Sequence, residues 1–153
     1  MRPYLNKEVG IVGPTSYVAG LKKQQISAQQ KKLTRARVKG AQQLASHVTV
    51  EVEALGMPGT SVVIAVDPSP EAGRHGVDDV SIGLVPHAGA HPVPLHRGAS
   101  GGELSRVMLG LEVVLAGTDP VPTFVFDEVD AGIGGEAALA VGQRLARLGR
   151  TAQ

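Results

Sequence analysis

The longest regular pattern in the chain runs from about Ile26 to Leu55. Leu33, Ala36, Ala41, Leu44, Val48, Val52 and Leu55 recur at steps of three to five residues, which predicts a helix with one apolar stripe. Lys31, Lys32, Arg35 and Lys39 fall mostly off that stripe, and "GMPG" at 56–59 predicts the stop. Ahead of it, residues 1–25 show no clean period and hold two Pro and three Gly, so they predict loop. "SVVIAVD" (61–67) is short and β-branched and predicts a strand covered on both faces. "PSPEAGRHG" predicts a loop, and Asp78-Asp79 a turn. "DVSIGLVP" predicts a second strand through Val80, Ile82 and Leu84. "HAGAHPVPLHRG" predicts an irregular hairpin.

A second helix is predicted from Gly102 to about Ala116, with Leu104, Val107, Met108, Leu111, Val114 and Leu115 on one face. "TDPVP" breaks it, "TFVF" (123–126) predicts a buried strand, and "DEVDAGIGG" predicts a loop. A last amphipathic helix is expected over Glu136 to Leu148. The order α, β, β, α, β, α predicts an α/β chain whose final strands pair in parallel. Met57 and Met108 are expected in the core.

Composition narrows the picture. The 153 residues include 42% apolar positions but only two Tyr, two Phe and no Trp, so the core must be aliphatic. With no Cys there is no disulfide or thiol chemistry, which fits a reducing cytosol. No apolar run is long enough to span a bilayer, and Met1 is followed by charged and polar residues, not an apolar leader. The net charge of +1 hides an asymmetry: residues 1–47 hold nine Lys/Arg and one acid, residues 48–153 six Lys/Arg and thirteen acids. The basic segment reads either as a solvated helix face or as a surface for nucleic-acid phosphates.

Two short stretches carry chemistry. In the first, Ser100-Gly101-Gly102-Glu103, Ser followed three residues later by Glu is a capping box in front of an apolar helix. The paired glycines cost helix propensity, and their use is to let backbone N–H groups approach a partner closely. A Gly-rich helix start with a hydroxyl suits a phosphate. In the second, "PTFVFDEVDAGIGG", the apolar run leads directly into Asp127 and Glu128. Asp127 can hold Mg²⁺ and Glu128 can orient or deprotonate a water; the alternative is a strand end capped by solvated acids. His87, His91 and His96 lie among Gly and Pro residues that forbid a regular helix, and they read as an exposed hairpin tip.

"ASGGELSR" resembles the signature motif of ABC-type ATPases in the form used by SMC-like chromosome and repair proteins. "TFVFDEVDAGIGG" resembles their Walker B segment and D-loop, and the two together are most similar to the RecN family of recombinational repair proteins. The resemblance is specific over about 95–150, weaker over 31–94 and absent over 1–30. It implies a helix ending a coiled-coil arm at 31–56 and the C-terminal lobe of an ATPase head at 57–153, and it leaves 1–30 as an irregular or unassigned segment.

By the same resemblance, Ser100, Gly101 and Gly102 would contact the γ-phosphate of ATP held by an opposite subunit. Glu103 stands where many transporters have Gln. Asp127 would serve Mg²⁺, Glu128 the lytic water, and Asp130 the D-loop crossing of the dimer interface. Arg106 either supports the phosphate field or is a plain surface residue. The chain has no G-x-x-x-x-G-K-[ST] phosphate loop; "GIVGPTS" (10–16) lacks the Lys. The family's switch His is also absent after the last helix. The implied arrangement is a C-terminal lobe alone, cut at both ends and with no ATPase activity of its own. Its partners would be a second head, an N-terminal phosphate-loop lobe and DNA, with ATP and Mg²⁺ as cofactors, at the nucleoid in the cytoplasm and not at a membrane. A non-catalytic interaction module and another SMC or transporter-type ATPase subunit are the alternatives.

Overall fold

The computed structural model describes residues 15–116, 118 and 122–152. In chain order the elements are α1 (Thr15–Ala54), β1 (Ser61–Gly73), β2 (Gly76–Val85), β3 (Val93–Pro94), α2 (Leu95–Gly98), α3 (Gly101–Leu115) and α4 (Gly135–Leu148). The chain is therefore an α/β structure, as the pattern predicts, but its sheet is a three-stranded antiparallel one in the order β1-β2-β3.

α1 begins at Thr15, so residues 15–25 are helical where loop is expected, as is the second half of the 1–30 segment; residues 1–14 lie outside the described residues. Its stripe is buried only toward the C-terminal end. Ala41, Val48, Val52 and Leu55 are covered, whereas Leu33 and Ala36 face solvent. The stop is a Schellman turn: the Gly56 N–H donates to the Glu53 carbonyl and the Met57 N–H to the Val52 carbonyl, both at 3.3 Å. Gly56 takes φ 88°, and a Cβ there would lie 3.0 Å from Ala137 Cβ and 3.1 Å from Ile133 Cγ2. Turn geometry and the close approach of α4 thus both require glycine.

Two differences from the expected strands follow from pairing. β1 does not end at Asp67 but continues through "PSPEAG", because β2 extends beside it, with Asp67 opposite Asp79 and Pro68 opposite Asp78. Only Val62 is fully covered on β1, so the strand is not buried on both faces. Asp78 is part of β2, not of a turn. Thr34 Oγ1 donates to its Oδ1 at 2.6 Å and Arg37 Nη1 to its Oδ2 at 2.9 Å, fastening the hairpin to α1. The hydroxyl of Thr34, then the Arg37 guanidinium, hold the Asp78 carboxyl below the usual range.

The segment 123–126 forms no strand and pairs in parallel with none of the described residues. A strand is stable only where a neighbour satisfies its ladder, and the described sheet lies elsewhere. Val125 is 90% exposed, while Phe124 and Phe126 stack with ring centroids 6.1 Å apart.

α3 is the central element because it separates two apolar clusters. One joins Val107 and Leu111 to Val48, Val52, Met57, Val62 and Leu84, and the other joins Leu109 and Val113 to Leu55, Val141 and Leu148. Two buried sides explain why the single expected face is incomplete. Leu109 and Val113 are covered, whereas Met108, expected in the core, is 41% exposed.

Candidate functional site

The site forms where the start of α3 meets the loop between residue 127 and α4. Ser100 is the N-cap of α3, and both arms of the capping box are closed. Glu103 Oε2 accepts from the Ser100 N–H and from Ser100 Oγ, each at 2.8 Å, while the Glu103 N–H donates to Ser100 Oγ at 3.4 Å. The Ser100 backbone N–H, then its hydroxyl, hold the Glu103 carboxyl below its ordinary value.

Across from this cap the chain turns at Glu128, the one described non-glycine residue with positive φ, at 54°. A bulky residue pays for this left-handed conformation, of order 1–3 kcal/mol, so it persists only where the surroundings hold it. The Ala131 N–H donates to the Glu128 carbonyl at 2.9 Å, and Gly132 follows at φ 71°. The loop presses onto the helix. A Cβ on Gly101 would lie 2.7 Å from Glu128 Oε2, and one on Gly102 would lie 3.0 Å from the Glu128 carbonyl oxygen. The Glu128 carboxylate therefore stands at the N-terminal end of α3, where unpaired amides and the helix dipole favour an anion.

The structure thus brings together Ser100, Gly101, Gly102, Glu103 and Glu128. Asp127 and Asp130 flank Glu128 on the same loop, both exposed and without a hydrogen bond to the cap. Asp127 and Glu128 offer adjacent hard oxygen donors, a set that suits Mg²⁺, which is commonly held by one or two carboxylates together with phosphate oxygens. No group of three or more potential metal ligands occurs among the described residues. His87, His91 and His96 are exposed, the first two on the turn before β3 and the third on α2.

Arg106 is not a plain surface residue. It is 4% exposed, and its Nη1 donates to the Ala131 carbonyl at 3.0 Å and to the Val129 carbonyl at 3.5 Å. Its Nε has no partner among the described residues. A signal existed in the sequence: Gly102, Arg106 and Gly110 recur every four residues, and all three are buried on α3.

No family model matches the chain. It is 52% identical over 133 residues to DNA repair protein RecN of Streptomyces coelicolor, covering 79% of this chain and 23% of that protein. The RecN protein of Mycobacterium tuberculosis is 46% identical over 141 residues, at 79% of this chain and 24% of its own length. That of Deinococcus radiodurans is 44% identical over 121 residues, at 79% and 21%. Among solved structures, an SMC head bound to the C-terminal winged-helix domain of ScpA superposes with a TM-score of 0.48 at 18% identity, over 99% of this chain and 39% of that one. The chain spans about a quarter of the length of the curated relatives it matches. Over about four fifths of its length, the chain is homologous to the C-terminal part of the RecN family of DNA repair proteins.

Proposed function

We propose that this chain is the signature-bearing part of a RecN-like ATPase head acting in the repair of DNA double-strand breaks, with ATP bound between two heads. The observation that carries the reading is the exposed, Ser100-capped start of α3 together with the exposed Asp127 and Glu128 on the loop that packs beside it. In this reading Ser100 and the amides of Gly101 and Gly102 contact the γ-phosphate of ATP held by the opposite head. Asp127 serves Mg²⁺, Glu128 orients the attacking water, and Asp130 reaches across the head–head interface. Bound Mg²⁺ would neutralise charge on the phosphates. Glu103 keeps Ser100 in place through the capping box, so its role is to hold the phosphate contact rather than to make one.

The phosphate loop is supplied by an N-terminal lobe, and the segment 123–126, with Val125 open to solvent, is where that lobe docks. The similarity to RecN proteins supports a repair role over a transporter role. DNA is the effector, met by the exposed face of α1 that carries Lys31, Lys32, Arg35 and Lys39. None of these four makes an ion pair among the described residues. No described helix is long and apolar enough to cross a membrane, and the proposed place of action is the nucleoid.

The test uses a chimera in which this chain replaces the matched C-terminal quarter of the Streptomyces coelicolor relative. The chain alone should hydrolyse ATP no faster than its Glu128→Gln variant. The chimera should be active, and Glu128→Gln within it should lower turnover by ~10²–10⁴, the usual effect of losing a general base. An unchanged rate removes Glu128 from that role.

A further inference from the structure

We infer that Arg106 is the positioning residue of this site: its buried guanidinium sets the backbone turn that presents Glu128 to the start of α3. The inference rests on the proposed role of Glu128 and adds a residue to which no role has been assigned.

Three observations converge. Arg106 is almost fully buried, yet it makes no salt bridge among the described residues, and the charge of the Glu103 carboxylate on the preceding turn reaches it only through space. Burying a cation without a contacting carboxylate is costly, and among the described residues the acceptors of its hydrogen bonds are the carbonyls of Val129 and Ala131. Both belong to the turn that begins at Glu128. The Ala131 N–H closes that turn on the Glu128 carbonyl, so a single side chain reaches the backbone on both sides of Asp130 and, through Ala131, the residue in the left-handed conformation.

An apolar side chain would suit the packing alone. Val107, the next residue, is fully buried in an aliphatic cluster, and Arg106 lies on the same helix between the two clusters. What an aliphatic residue could not do is donate to two loop carbonyls. Arginine can, because its Nη1 alone carries two N–H donors. Gly102, one turn earlier on the same face, leaves the gap into which the loop settles. Glycine clears the space and arginine holds what fills it.

The first readout is amide hydrogen exchange in the 153-residue chain. Arg106→Met should raise exchange of the Ala131 and Ile133 amides at least tenfold while amides of β1 and β2 keep their protection; Arg106→Lys should recover part of it. Val107→Ala, an equally buried control, should lower protection across the whole molecule without singling out the loop. The second readout is the chimera, where Arg106→Met should lower kcat at least tenfold and leave KM for ATP within about twofold.

Unchanged loop exchange in Arg106→Met overturns the inference. So does a fall in kcat no greater than that of Val107→Ala. If Glu128→Gln is silent in the chimera, the catalytic reading fails on its own, and the hold of Arg106 on the loop is decided by exchange.

Discussion

Replacing Gly102 by Ala is the sharpest test of how the loop and the helix meet. A methyl group there would lie 3.0 Å from the Glu128 carbonyl oxygen, 3.1 Å from Ala131 Cβ and 3.2 Å from the Ala131 carbonyl oxygen. Ordinary carbon–oxygen and carbon–carbon contacts lie at ~3.3–4.0 Å, so the loop must retreat by about 0.4 Å. Its contact atoms are backbone and a Cβ, which cannot swing aside as a long side chain could, and Arg106 ties the same carbonyl inward. Overpacking of this kind costs ~1–3 kcal/mol. Alanine returns up to ~1 kcal/mol of helix propensity, less in a first turn. The expected net effect is a loss of about 1–2 kcal/mol. Gly40→Ala provides the opposite case, since Gly40 is exposed in the middle of α1 with nothing within 4 Å of an added Cβ. There the propensity gain stands alone, and a stabilisation of ~0.5–1 kcal/mol is expected. Urea unfolding followed by far-ultraviolet circular dichroism measures both as shifts in midpoint at constant slope. A Gly102→Ala variant as stable as the parent, beside a stabilised Gly40→Ala, would refute the packing of the loop on α3.

Other expectations are direct. Ser100→Ala removes one arm of the capping box and should cost ~1 kcal/mol in the same unfolding assay. Asp78 gives a pH signature. Its folded-state value is depressed, so its contribution is full above the unfolded value of ~4 and is lost as pH falls through the lower folded value. Melting temperature should therefore fall more steeply below about pH 4 in the parent than in Asp78→Asn; parallel curves would remove Asp78 from that role. If α1 meets DNA, reversing Lys31, Lys32, Arg35 and Lys39 to Glu should weaken duplex binding by the chain and flatten its salt dependence. Up to four lost phosphate contacts would reduce the log–log slope by about 3–4, measured by fluorescence anisotropy across a salt series.

What the sequence disclosed and what it withheld divide along contact distance. The C-terminal half of α1, the body of α3 and α4 follow from residues three or four apart, and so does the capping box of Ser100 and Glu103. The sequence predicts too short a β1 because Pro68 and Pro70 look like an end, although a partner strand carries the chain past them. The composition of 123–126 predicts a strand, yet no described neighbour gives it a ladder. The burial of Arg106 depends on a loop more than 20 residues away, so no local pattern states it directly. The glycines are the instructive case. Gly101 and Gly102 were read as room for a phosphate, and the structure gives them a second use as room for Glu128 and Ala131. Packing alone accounts for both, so the pair no longer argues for a ligand by itself. Capping likewise accounts for Ser100, so the weight moves to a feature that neither packing nor capping requires: an exposed Glu128 held in a left-handed conformation with its carboxylate toward α3. A turn that served only the fold would relieve its strain with glycine at that position, as the loop does at Gly132. Retaining a carboxylate there instead makes sense where the carboxylate itself is used.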